Sequence, residues 1–114
     1  MTQDAPSPLL KITVDQQAPW VVVCLSGELS HGSHAGLDDQ MSVLITQEHP
    51  RICVDLGRLT FCDSSGVVCL LRWTYAARDH AGTLVLSRPV TVVARMFALL
   101  GLTSVLTVLD ELPA

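Results

Sequence analysis

Short apolar strands that pass quickly into helices recur along this chain, and that alternation restricts the fold more than any other feature. Arg51 to Leu56 (Arg-Ile-Cys-Val-Asp-Leu) reads as a buried strand, and Gly57 turns the chain toward Leu59, Thr60 and Phe61. A helix follows from Ser65 to His80, because Val67, Leu70, Leu71, Thr74 and Ala77 fall on one face at offsets of three and four. Gly82 stops it.

The flanking segments repeat the theme. Leu9 to Val14 alternates as a short strand, and Pro19 separates it from Trp20 to Leu25, a valine-rich run suited to a strand covered on both faces. Gly27-Glu28-Leu29-Ser30 ends that strand. Leu37, Met41, Leu44 and Ile45 then recur at helical spacing, giving a helix from about Ser33 to Gln47, closed by Pro50. Thr83 to Leu86 is a strand. Pro89 opens a helix to about Leu100, with Val92, Val93, Met96, Phe97 and Leu100 as its core stripe and Gly101 as its terminator. Val105 to Leu109 supplies a last strand. The order β-β-α-β-α-β-α-β predicts an α/β fold with a mixed sheet, an antiparallel pair at its start and helices packed mainly on one face.

With 114 residues, 49% hydrophobic and 16% charged, and no low-complexity tract, residues 1–114 read as one domain with a short flexible N-terminus over about residues 1–8. The net charge of −4 is dispersed and the seven basic residues form no run, which argues against nucleic acid as a direct partner. The absence of a signal-like N-terminus and of an apolar run long enough for a bilayer points to a cytoplasmic protein with no membrane partner. Cys24, Cys53, Cys62 and Cys69 lack ligand spacing and read as reduced core residues, and His31 and His34 as loop polarity, so no metal or other cofactor is expected. Trp73 and Tyr75 lie off the helix stripe and are either binding anchors or packed beneath a neighbouring helix.

The chemistry concentrates in Asp63-Ser64-Ser65-Gly66, where strand gives way to helix at the carboxyl end of a parallel strand, the usual ligand edge of such sheets. Ser65 is the expected helix cap. Asp63 is positioned to hold the loop, to orient a hydroxyl or to serve as a simple cap, and Gly66 either admits a partner's backbone or answers a steric need of the turn. A phosphate on Ser64 would sit at a helix N-terminus, where anions are stabilised by about 0.3–1 kcal/mol.

Ile52 to Val68, together with Gly27-Glu28-Leu29 upstream and Pro89 to Gly101 downstream, resembles the STAS domain of bacterial anti-sigma factor antagonists. The resemblance implies a binding module with no enzymatic activity. Unphosphorylated, it binds an anti-sigma factor that is itself a serine kinase and so releases a sigma factor; phosphorylation at Ser64 blocks binding, and a serine phosphatase resets it. The partner-binding set implied is Asp63, Ser64, Ser65, Gly66, Val68, Ser30 and His31. Two positions depart from the family pattern: Ser30 stands where an acidic residue is usual, and Val68 where a small one is common. These departures support an alternative, an unphosphorylated STAS scaffold within a larger sensory or transport assembly. A hydrolase using Ser64 or Ser65 needs a base; His80 lies at the far end of the helix, roughly 24 Å away at 1.5 Å per residue, which leaves His31 or His34.

Overall fold

A computed structural model describes residues 9–113. Its elements are β1 (Leu10–Gln17), β2 (Trp20–Leu29), α1 (His34–Leu44), β3 (Arg51–Cys62), α2 (Ser64–Asp79), β4 (Thr83–Ser87), α3 (Thr91–Leu99), a 3-10 turn at Leu102–Ser104 and β5 (Val108–Leu109). The strands form one sheet in the order β1-β2-β3-β4-β5. β1 pairs antiparallel with β2, and every other pairing is parallel. The expected order and the antiparallel opening pair are borne out. The segment expected to be flexible, residues 1–8, lies outside the described residues.

The two faces of the sheet differ. Val21, Val23 and Leu25 of β2, Ile52, Val54 and Leu56 of β3, and Leu84 and Leu86 of β4 share one core with Leu37, Met41 and Leu44 of α1, Val67 and Leu70 of α2, and Val93 and Phe97 of α3. The alternate residues Trp20, Val22, Cys53 and Val85 form a smaller cluster on the other face, against which the partly buried Cys24, Leu109 and Leu112 pack among the described residues. The side-chain period of two in a strand is what divides the residues between the faces. No described helix is long and apolar enough to cross a membrane.

Several expected boundaries move. β1 runs past Val14 to Gln17 because its antiparallel pairing with β2 continues to Gln17 with Trp20, and α1 stops at Leu44, short of Gln47. β3 does not turn at Gly57; it continues to Cys62 because β2 continues beside it to Leu29, with pairs Ser26 with Arg58 and Leu29 with Cys62. Register irregularities between Cys24 and Ser26 and between Gly27 and Glu28 absorb the offset. Gly27 occupies φ +107, and a Cβ there would stand 2.2 Å from the Leu9 carbonyl oxygen. The third helix starts at Thr91, since Val90 is still extended at φ −64, ψ 159. Its stripe is narrower than expected: Val93 and Phe97 are buried, whereas Val92 and Leu100 are exposed, the first rotated off the contacting face and the second beyond the last helical turn. The final strand shrinks to Val108–Leu109 because the 3-10 turn drives Leu106 into the core.

Asp38 of α1 clamps α2. Its carboxylate accepts from Trp73 Nε1 at 2.6 Å, from Arg72 Nη2 at 3.1 Å and from Cys69 Sγ at 3.3 Å, and pairs with His34 Nδ1 at 3.0 Å. Trp73 is therefore half-buried against the core and bonded beneath α1, while Tyr75 remains exposed and stacks under Arg78. Partial burial works against ionisation of Asp38, but the bonds from Trp73, His34 and Cys69 outweigh it and hold the carboxyl below the usual carboxylate range. Its folded pKa thus lies below the unfolded value of about 3.9. The stabilisation is complete above that value and is lost as pH falls through the lower folded one. Asp38→Asn should show a shallower loss of Tm than the parent between about pH 5 and 3. Overlaying acid profiles would contradict the clamp.

Candidate functional site

β3 ends by handing its backbone to α2 through a single residue. Asp63 is extended at φ −93, ψ −175, and its Oδ1 accepts the Gly66 amide at 2.9 Å, the third amide of the helix. Its Oδ2 accepts the His31 amide from the loop after β2 at 3.1 Å. Its own amide donates to the Leu29 carbonyl at 3.2 Å, and its carbonyl accepts from Val67 at 3.0 Å. Through its carboxylate and its backbone amide, one residue thus joins the end of β2 and the loop after it to the start of α2. The Gly66 amide, and the His31 amide after it, hold Asp63 below the usual carboxylate range.

The cap is therefore Asp63 rather than Ser65. A capping side chain must belong to the last extended residue to reach the free amides, and Ser65 already lies inside the first turn. Ser64, the first helical residue, is exposed, and among the described residues its hydroxyl has no hydrogen-bond partner. The anion-friendly helix start is thus held by Asp63 while the neighbouring hydroxyl stays open to solvent.

Val68, one turn along α2, is 52% exposed, and Phe61, near the end of β3, is 48% exposed. The two belong to the elements that meet at Asp63, Phe61 two residues before it on β3 and Val68 one turn after Ser64 on α2. Phe61 was not among the residues expected from the sequence. A strand taken to end at Leu56 assigns it no face, and the signal that could have found it is an aromatic residue just ahead of the Asp63 cap.

Ser30 and Gly66 are turned inward. Ser30 retains 9% exposure, its amide bonds to Ser33 Oγ at 2.9 Å, and its hydroxyl lies 3.3 Å from the same oxygen, which donates to the Glu28 carbonyl at 2.7 Å. Its role is to close the β2–α1 loop from inside. A Cβ on Gly66 would stand 2.5 Å from the Leu29 carbonyl oxygen and 2.8 Å from Cys62 Sγ. The close approach that glycine permits is therefore made by the chain's own β2, and no partner backbone reaches it. His31 is exposed, its ring centroid 6.2 Å from that of His34, and its amide rather than its ring serves the site. His34 is directed to Asp38, away from the serines.

His34, Asp38 and Cys69 bring ligand atoms within 4.8 Å of one another, the set among the described residues that could hold a metal. The fit is poor. Both Asp38 oxygens already accept from Arg72, and the Cys69 thiol is pushed up to about 12 by burial and the adjacent Asp38, so it stays protonated. All four cysteines are free, Cys53, Cys62 and Cys69 buried and Cys24 half-buried.

Asp63→Ala should lower stability by about 0.5–2 kcal/mol in urea unfolding, whereas Ser65→Ala should stay within about 0.5 kcal/mol of the parent. Gly66→Ala should be destabilised too, because the obstacle is the backbone of Leu29 and cannot swing aside. A Ser65→Ala loss larger than the Asp63→Ala loss would return the cap to Ser65.

The family model described as "Mlab, STAS domain" matches residues 12–109. BtrV of Bordetella bronchiseptica, named as a candidate anti-sigma factor antagonist, is 26% identical over 102 residues, spanning 90% of this chain and 88% of BtrV. The solved anti-sigma factor antagonist SpoIIAA in its unphosphorylated form superposes with a TM-score of 0.73 at 28% identity, covering 86% of this chain and 87% of that one. The phosphorylated form of the Bacillus cell fate determinant SpoIIAA gives 0.67 at 27% identity, covering 86% and 90%. With the match running from β1 to β5 and through the Asp63 to Gly66 helix entrance, this chain belongs to the STAS domain family.

Proposed function

We propose that this chain is an anti-sigma factor antagonist whose binding is switched by phosphorylation of Ser64. The observation that carries the reading is the exposed, unbonded Ser64 hydroxyl on the first residue of α2, beside a cap that needs nothing from it. In the unphosphorylated state, Ser64, Val68, Phe61 and the His31 loop form the docking surface for an anti-sigma factor serine kinase. Asp63 and Gly66 shape that surface from behind. Ser65, half-buried in the first turn, borders it.

The kinase step transfers the terminal phosphoryl group of ATP to Ser64 Oγ, with the hydroxyl proton released and ADP leaving; a serine phosphatase hydrolyses the ester. The phosphate brings about −1.5 to −2 charges at pH 7. The helix terminus tolerates them, since the helix dipole favours an anion there. A partner seated over Phe61 and Val68 does not, because it must desolvate the dianion against an apolar rim. The change therefore falls on binding and leaves the fold in place. In this reading the chain is a substrate and ligand, and no side chain on it acts as a base toward Ser64.

Intact-mass measurement after incubation with an anti-sigma serine kinase and ATP should show one added phosphate on the parent and none on Ser64→Ala. Ser64→Asp should bind that kinase about tenfold or more weakly, a loss of about 1.4 kcal/mol, with stability within about 0.5 kcal/mol of the parent. No phosphate on the parent would favour the scaffold reading. Equal labelling of Ser64→Ala would move the acceptor elsewhere.

A further inference from the structure

We propose that the helix-free face of the sheet holds a binding site for a small phosphate monoester, built by Lys11, Arg58 and Arg88. A cavity of about 320 Å³ opens on that face between β1, β2, β3 and the end of β4, with Lys11, Thr13, Ser26, Asp55, Arg58 and Arg88 among its lining residues. Three of the chain's seven basic residues meet there, in a protein whose net charge is −4. With Asp55 as the acidic residue of the lining, the formal charge of the cavity is three minus one, or +2.

The sheet itself enforces this gathering. Lys11 pairs with Ser26, and Ser26 with Arg58, so the two cations stand on neighbouring ladders either side of one hydroxyl. Both are exposed, and among the described residues neither has an anionic partner. Like charges brought together without a counter-charge repel, and an anion bound between them removes that repulsion.

Arg88 adds a preorganised donor. It lies at φ +57, in the left-handed region that a residue with a side chain seldom adopts. There its guanidinium folds back onto Asp55, with Nε 3.2 Å from Oδ1 and Nη2 2.5 Å from Oδ2. Asp55 is nearly buried while Arg88 remains half exposed, so the pair fixes the guanidinium and leaves its other N–H groups for a ligand. A dianionic phosphate matches the +2 lining. The volume is at the lower end of ligand cavities, about 300–1,000 Å³, which leaves room for a short organic group on the ester. Since α2 packs on the opposite face, this site is independent of Ser64.

The test is a titration of the ¹⁵N-labelled protein followed by NMR, with inorganic phosphate in one arm, glycerol 3-phosphate in a second and sodium chloride at matched ionic strength in a third. Saturable shifts at Thr13, Ser26, Arg58 and Arg88 are expected in the first two arms, at lower concentration for the ester, and not in the third. The double variant Lys11→Gln, Arg58→Gln, both positions exposed, should weaken binding by about tenfold or more. Shifts that never saturate, that sodium chloride reproduces, that saturate at the same concentration in the double variant, or that centre on Ser64 would overturn the proposal.

Discussion

The carboxylate of Asp63 is the constraint on which the site depends. Its two oxygens take amides from Gly66 and His31, and its backbone amide reaches Leu29, so the end of β2 and the start of α2, remote in sequence, meet on one residue. The absence of a side chain at Gly66 is the other half of the arrangement, because α2 can start this close to the Leu29 carbonyl only if no Cβ intervenes. Together they fix where α2 begins, which way it points and hence where Ser64 stands.

The rest of the fold supplies rigidity behind that point. β2 and β3 run side by side to Leu29 and Cys62, delivering both strand ends to the same edge, and the Asp38 clamp ties the middle of α2 to α1. A helix held at its start by Asp63 and farther along by Asp38 has little freedom to shift when its exposed first residue gains charge. The consequence is a division of labour: buried residues maintain the geometry, and Phe61, Ser64 and Val68 face outward from it. The opposite face of the sheet follows different rules, with its apolar cluster at one end and its cationic cavity at the other.

Much of this was legible in the sequence. Periodicity located every helix and strand, because buried stripes such as Leu37, Met41 and Leu44 report a helix face directly. Strand ends were harder: Gly57 looks like a turn, and only the pairing of β3 with β2, a long-range property, carries the strand through it. The same misplacement hid Phe61. The motif Asp63 to Gly66 stood out, but the division of roles within it did not, since Asp and Ser are comparable caps in isolation and the outcome depends on which residue is last to be extended. Ser30 looked like a surface position, and it is Ser33, invisible as a partner in the linear chain, that turns it inward. The clustering of Lys11, Arg58 and Arg88 is likewise a product of strand register, with no trace in their spacing.

The central claim is that Ser64 can change charge while the Asp63 arrangement beneath it stays intact. Hydrogen exchange of the Gly66 and His31 amides, compared between the unmodified protein and the protein carrying phosphate on Ser64, tests this most directly. Unchanged protection at both amides is the predicted result; loss of protection at both would show that the modification breaks the helix entrance and that the switch acts by unfolding the site.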